Sequence, residues 1–285
     1  CIVNSGWAVK SCNNLIPLPF QYQRYQSDGF GIIIDKKDFI RHKLFNDNRS
    51  SFLKYADLTI GQFSVLKLIK YELIMSLFAP MPGAMGIFVR KYVFPLLFQR
   101  TGKGVIWGRG LVIRHPGKIT LGNNVVLDDY CVIDGRGSGD RGIVIGDDVY
   151  IGRGVSIQAK VGGIMIGSKT SIGANSSITS QGGVVIDEMV NIAGRCDISG
   201  GSYDVTRGQD TLREHEKYTK GAIHIGKKCR LGMGVMVLDG VTIGEGTIVG
   251  AKTLVIDSLP EYCIAAGIPA KVLKERSVAD EPDSQ

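Results

Sequence analysis

From about residue 105 the apolar positions follow neither a helical nor a simple strand pattern. Aliphatic side chains recur at every sixth position: Leu121, Leu127, Ile133; Ile145, Ile151, Ile157; Ile166, Ile172, Ile178; Ile186, Ile192, Ile198; Ile225, Leu231, Val237, Ile243, Val249, Val255. Gly, Asp or Ala usually comes next, as in Leu121-Gly122, Ile151-Gly152 and Leu231-Gly232. Four positions after each aliphatic sits a small side chain, among them Val125, Val149, Thr170, Ser176, Val190, Val235, Val241 and Thr247. A helix would repeat every three to four residues and a meander every two. Period six suits a coil that turns a corner every six residues, with the aliphatic inside and Gly or Asp accepting the corner's backbone angles. Three sides make a coil of 18 residues, and coils stacked about 4.8 Å apart form continuous parallel sheets. The pattern predicts an all-β solenoid. Two insertions interrupt it, Asp134 to Gly142 and the longer, polar Gly200 to Lys220, and the second is where a functional site is expected.

Ahead of the repeats, Leu66, Ile69, Leu73 and Leu77 keep helical spacing until Pro80-Met81-Pro82-Gly83, and a second apolar run, Ile87 to Phe98, has Pro95 as its break. Residues 61–104 therefore read as an N-terminal helical segment. It either caps the open end of the solenoid or lies on a membrane surface, held by Lys67, Lys70, Arg90 and Lys91. Residues 1–60 carry Pro17, Pro19 and an aromatic run, with one strand expected between Gly31 and Asp35. Residues 277–285 read as a disordered tail.

Composition sharpens this division. Thirty of the 38 glycines lie between Gly108 and Gly267, without the register of collagen. The net charge of +7 is concentrated in residues 61–104, with six basic groups against one acidic, whereas residues 105–285 carry 20 against 21. A short basic, apolar stretch suits a membrane surface better than nucleic acid, and no nucleic-acid partner is expected. The six cysteines form no CxxC and match no zinc spacing. Cys131, Cys196 and Cys229 take the small position of a hexad and read as buried spacers. A reduced, cytoplasmic protein is expected, resting peripherally at the inner membrane face if the helices bind lipid.

The stretch from Lys220-Gly221-Ala222-Ile223-His224-Ile225-Gly226 through Val237-Leu238-Asp239-Gly240-Val241 to Ala265-Ala266-Gly267-Ile268-Pro269-Ala270-Lys271-Val272 resembles the hexapeptide-repeat acyltransferases, and the likeness extends over residues from about 80 to 276. The segment from Pro82-Gly83 to Arg114-His115-Pro116-Gly117 is similar to the branch acting on sugars in polysaccharide assembly. The resemblance implies a left-handed parallel β-helix, a homotrimer with sites between adjacent prisms, acetyl-coenzyme A or another acyl-coenzyme A as donor, and a sugar or glycan precursor as acceptor, with no metal. It places the donor against Gly232, Met233, Ala251 and Lys252, with Lys271 and Lys274 near its phosphates.

Such transfer needs a base for the attacking hydroxyl or amine, normally a histidine. The family carries it after a Gly-Gly pair; here Gly200-Gly201-Ser202 is followed by Tyr203, a weak base at neutral pH. His215, between Glu214 and Glu216, is the replacement candidate in the same insertion. Arg230 and Ile256-Asp257 also depart from the family's Trp and Thr-Lys. Those departures leave a second reading, a catalytically silent scaffold or partner subunit. His224 and His115 read as structural, and the four histidines show no zinc spacing.

Overall fold

The computed structural model describes residues 50–61, 64–138, 141–203 and 217–276, with short strands at Lys10–Ser11, Asn14–Leu15 and Ile32–Ile33. Of residues 202, 203, 217 and 218 it describes the backbone alone. The expected tail, 277–285, and most of 1–60 lie outside the described residues. Residues 1–30 form one compact unit, in which Lys10–Ser11 pairs antiparallel with Asn14–Leu15, and residues 31–285 form another.

The second unit is dominated by a parallel β-helix. Its three sheets have seven, nine and seven strands. The first coil opens at Arg100–Thr101 and continues through Ile106–Trp107 and Val112–Arg114, giving one strand to each sheet in turn. Later coils repeat this order in register: Thr120, Val144, Met165, Val185, His224 and Thr242 form one outward column of the first sheet. The hexad aliphatics all point inward. Ile172, Ile178, Ile198, Ile225, Val237 and Val255 are 0–1% exposed and belong to one continuous core.

The small positions are buried as well, and the polar ones have a second task. Thr170 Oγ1 donates to Asp187 O at 3.0 Å, Ser176 Oγ to Ala193 O at 3.2 Å and Thr247 Oγ1 to Pro260 O at 2.6 Å, each joining one coil to the next. The cysteine thiols do the same: Cys131 to Gly152 O at 3.1 Å, Cys196 to Gly232 O at 3.2 Å, Cys229 to Gly244 O at 2.9 Å. Burial pushes the Cys131 thiol up to about 11 and that of Cys229 to about 12, away from nucleophilic use.

The corner glycines need a different explanation from the sequence expectation. Gly152 and Gly232, each following an aliphatic, have ordinary backbone angles. A Cβ on Gly232 would lie 2.6 Å from Ala251 N, so it is the close approach of the next coil that excludes a side chain. The left-handed residue comes two positions later, and Asn124, Asp148, Lys169, Asn175 and Lys252 adopt it with φ between 53° and 60°.

Three helices close the N-terminal end: α1 (Ser51–Thr59), α2 (Val65–Phe78) and α3 (Gly83–Val93), followed by a short 3-10 turn at Phe94–Leu96 where Pro95 was expected to break the run. Phe94 and Phe98 pack on the inward-pointing Trp107, with centroids 5.4 and 4.9 Å away. Tyr71 donates to Ile113 O at 2.6 Å. His115, at φ 52°, is held by Asp57 O at 2.7 Å and tied to α1 through Thr59 O, which makes it structural as expected.

One expectation about these helices is corrected, and the burial of α2 is settled. Arg90 is no surface cation: it is 1% exposed, and its guanidinium donates to Trp107 O, Phe78 O and Met81 O at 3.0, 3.1 and 2.6 Å. The stripe Leu66, Ile69, Leu73 and Leu77 faces solvent, and Leu68, Tyr71 and Ile74 face the core instead. Among the described residues, no helix is long and apolar enough to cross a membrane.

Candidate active site

Every long insertion leaves the prism at one edge, between the third sheet and the first sheet of the next coil. The insertion at Gly200 departs after the third-sheet strand Asp197–Ser199 and returns to the first-sheet strand Ile223–Ile225. Its two ends form an antiparallel pair, Ser202–Tyr203 against Lys217–Thr219, and Tyr218–Thr219 pairs in turn with Ile32–Ile33. The strand expected between Gly31 and Asp35 is thus present, and it joins the insertion.

Asp239 fastens this hairpin to the prism. Its carboxylate accepts the Thr219 hydroxyl at 2.9 Å through one oxygen and the Lys220 N–H through the other, and both Asp239 and Thr219 are buried. Gly200 lies over the same carboxylate, where a Cβ would sit 3.1 Å from Oδ1. Asp239 escaped notice in the sequence because Asp also follows ordinary coil strands. Tyr203 is placed by its backbone on the hairpin; His215 lies outside the described residues, as does His42.

Four of the expected donor residues turn another edge, between the second and third sheets. Gly232 and Met233 turn the corner of one coil, and Ala251 and Lys252 turn the corner of the coil stacked on it, with Lys252 N donating to Met233 O at 2.8 Å. The Lys252 side chain crosses Gly234, whose φ is +70°. On the second sheet the chain folds back: Cys263–Ala266 pairs antiparallel with Lys271–Glu275, bringing Lys271 opposite Ala266 and Lys274 opposite Ile264. Lys252, Lys271 and Lys274 are all exposed. One edge therefore offers closely stacked backbone and Lys252, the last strand of the second sheet carries Lys271 and Lys274, and another edge offers the clasped hairpin. The third sheet lies between them.

His224 points outward from the first sheet, and its Nε2 lies 3.0 Å from Asp187 Oδ2. Lys227 pairs with Glu188 at 2.8 Å. Among the described residues, no three His, Cys, Asp or Glu side chains converge as a metal-holding group.

Known proteins resemble the chain along this same region. The family model for bacterial transferase hexapeptide (six repeats) matches residues 222–257. The dTDP-4-amino-4,6-dideoxy-D-glucose acyltransferase of Escherichia coli is 31% identical over 163 residues, covering 56% of this chain and 72% of that protein. WcaF of Escherichia coli K12, an acetyltransferase assigned to colanic acid biosynthesis, is 30% identical over 187 residues, 66% of this chain and 75% of WcaF. Among solved structures, a variant of AntD, an N-acyltransferase from Bacillus cereus crystallised with dTDP and coenzyme A, is 23% identical and covers 70% of this chain and 92% of that one, with a TM-score of 0.48.

Proposed function

Because the chain belongs to the hexapeptide-repeat acyltransferases, the left-handed parallel β-helix proteins, we propose that it transfers an acyl group from coenzyme A to a sugar-bearing acceptor. The observation that carries this reading is the edge formed by Gly232, Met233, Ala251 and Lys252. Its coils stack so closely that Gly232 has no room for a side chain, which leaves bare backbone for a narrow pantetheine arm, and Lys252, Lys271 and Lys274 supply cations for the donor's phosphates. The relatives act, by their names, on a dTDP-linked amino sugar and in colanic acid biosynthesis, which favours a transferase over a silent scaffold.

In this proposal the clasped hairpin carries the base. His215 takes the proton released as the acceptor attacks the thioester, and Tyr203 lines the acceptor side. No cysteine serves as covalent nucleophile, since those of the coils are buried spacers with raised pKa values. Transfer is direct within a ternary complex. The donor edge and the hairpin occupy different edges of one prism, so a homotrimer that sets one prism's edge against its neighbour's would complete each site. The protein works in the cytoplasm, where acyl-coenzyme A is available. Exposed Leu66, Ile69, Leu73, Leu77, Phe88 and Tyr92 seat its helical end on the inner membrane face.

The test is transfer of labelled acetyl from acetyl-coenzyme A to nucleotide sugars. His215→Ala should abolish transfer and leave the melting temperature unchanged. Creation of activity by Tyr203→His in an otherwise inert protein would support the silent scaffold instead.

A further inference from the structure

On the first sheet, next to the helical end, Gln99, Gly117, Lys118, Thr120, Arg141 and Val144 line a cleft of about 230 Å3. Lys118 precedes the strand Ile119–Leu121, and Arg141 lies just ahead of Ile143–Ile145 on the next coil. These strands pair in register, so the two cations come to the cleft from stacked coils. Gly142 presses against Lys118 O, which leaves no room there for a Cβ and keeps the wall between them bare. The Gln99 amide and the Thr120 hydroxyl add hydrogen-bond donors. Among the described residues that line the cleft, none is acidic.

Several other cations of the molecule have partners. Arg90 serves three carbonyls, Arg136 pairs with Asp134 at 2.7 Å, and Lys227 pairs with Glu188 at 2.8 Å. Lys118 and Arg141 have no ion-pair partner among the described residues. Two like charges facing one cleft repel until an anion lies between them. A guanidinium and an ammonium, joined by hydroxyl and amide donors, form the chemistry that holds a phosphate.

Its placement says which phosphate. Three strand spacings of the first sheet, about 14 Å, separate Ile143–Ile145 from Ile223–Ile225, the coil that carries the Gly232 turn. The cleft is therefore remote from the donor edge. Its volume is below the roughly 300 Å3 at which pockets begin to take drug-sized ligands, so a headgroup suits it better than a nucleotide. What the cleft adjoins is the exposed apolar face. Lys70 lies within that stripe of α2, four residues after Leu66 and three before Leu73, and its Nζ donates to Leu96 O at 2.7 Å. Leu96, itself exposed, is three residues before Gln99, at most about 10 Å of chain. Gln99 N donates in turn to Pro116 O, beside Gly117 and Lys118. Apolar side chains and a cationic cleft thus adjoin at one end of the molecule, as an acyl interior beneath a layer of phosphates calls for.

We infer that Lys118 and Arg141 bind the headgroup phosphate of an anionic phospholipid, with Gln99 and Thr120 donating to its oxygens, while Leu66, Leu73 and Leu96 enter the acyl layer. This rests on the membrane seat proposed above and gives it a specific ligand. Apolar insertion supplies attachment, and the cleft supplies preference for anionic lipid. Residues 61–104, with six basic groups against one acidic, draw the same end toward such a surface.

The test is flotation of the full chain with vesicles of phosphatidylcholine, alone or mixed with phosphatidylglycerol. The wild type should prefer the anionic vesicles, and the double variant Lys118→Gln/Arg141→Gln should bind them about 10- to 30-fold more weakly. Arg153→Gln/Lys169→Gln removes the same charge from exposed positions outside the cleft and should lose less than about 3-fold. Arg141→Gln alone, at an exposed side chain, should lose about 3- to 5-fold and keeps the test decisive if the double variant folds poorly. Equal losses in the cleft and control variants, unchanged binding by the cleft variants, or equal wild-type binding to both vesicles overturns the cleft assignment and leaves the apolar seat standing. A wild type that floats with neither vesicle overturns both. Micromolar binding of inorganic phosphate without vesicles, lost in the double variant, would assign the cleft to a free phosphate compound and overturn the lipid.

Discussion

The prism and the helices that close it are both rich in apolar residues, yet only in the prism does the sequence say which of them are buried. In a coil, backbone pairing with the coils above and below fixes the register, and a one-residue slip would turn Ile172 or Ile178 outward along with every aliphatic of that strand. Inside and outside are therefore written into period six. Helix α2 has no such constraint. It carries one apolar stripe through Leu66, Ile69, Leu73 and Leu77 and another through Leu68, Tyr71, Ile74 and Phe78. Either would look like a core face, and the contacts of Phe94, Phe98 and Trp107 decide between them. Pattern is decisive where hydrogen bonding enforces it and ambiguous where a helix is apolar all round.

The comparison can be tested at three levels. Ile178→Ala, in the middle of the prism, should lower stability by about 2–5 kcal/mol, because stacked coils cannot collapse around the cavity; chemical denaturation measures it. Arg90→Lys should cost about 1–3 kcal/mol, since an ammonium cannot reproduce the guanidinium fork that serves three carbonyls. Leu73→Ser, on the exposed stripe, should change stability by no more than about 0.5 kcal/mol. If instead it matched the loss in Ile178→Ala, the assignment of faces in α2 would be wrong. The same Leu73→Ser protein should bind anionic vesicles less well than the wild type in a flotation assay, and unaltered binding would remove the membrane role proposed for this face.

A pH experiment addresses the third sheet. Asp197 has its folded pKa raised by burial, so the folded state holds the proton more tightly than the unfolded chain does. Its contribution to stability is therefore greatest in acid and is lost as pH rises through the raised folded value. Subtracting the melting curve of Asp197→Asn from that of the wild type across this range should isolate the slope. A flat difference would mean that Asp197 is matched by a partner in solution.

What the sequence disclosed follows from the same physics. The inward aliphatics and the buried cysteines of the coils follow from local rules that the coil repeats, and the two helix breaks at Pro80 to Gly83 and Pro95 follow from proline chemistry. The purpose of the corner glycines did not, because close approach of a neighbouring coil and a left-handed backbone both call for glycine. Arg90 was misread because a basic residue in an apolar helix looks the same whether it snorkels to a membrane or caps carbonyls. Asp239 and Asp197 were missed for a related reason: only the three-dimensional register shows one clasping the hairpin and the other without a carboxylate partner among the described residues.

Titration of acetyl-coenzyme A into the purified protein by calorimetry, at low and moderate salt, tests the central claim most directly. Saturable binding in the micromolar range that weakens with salt is expected from an edge bearing Lys252, Lys271 and Lys274. No binding at millimolar donor would contradict it, and would return the prism to the role of a scaffold.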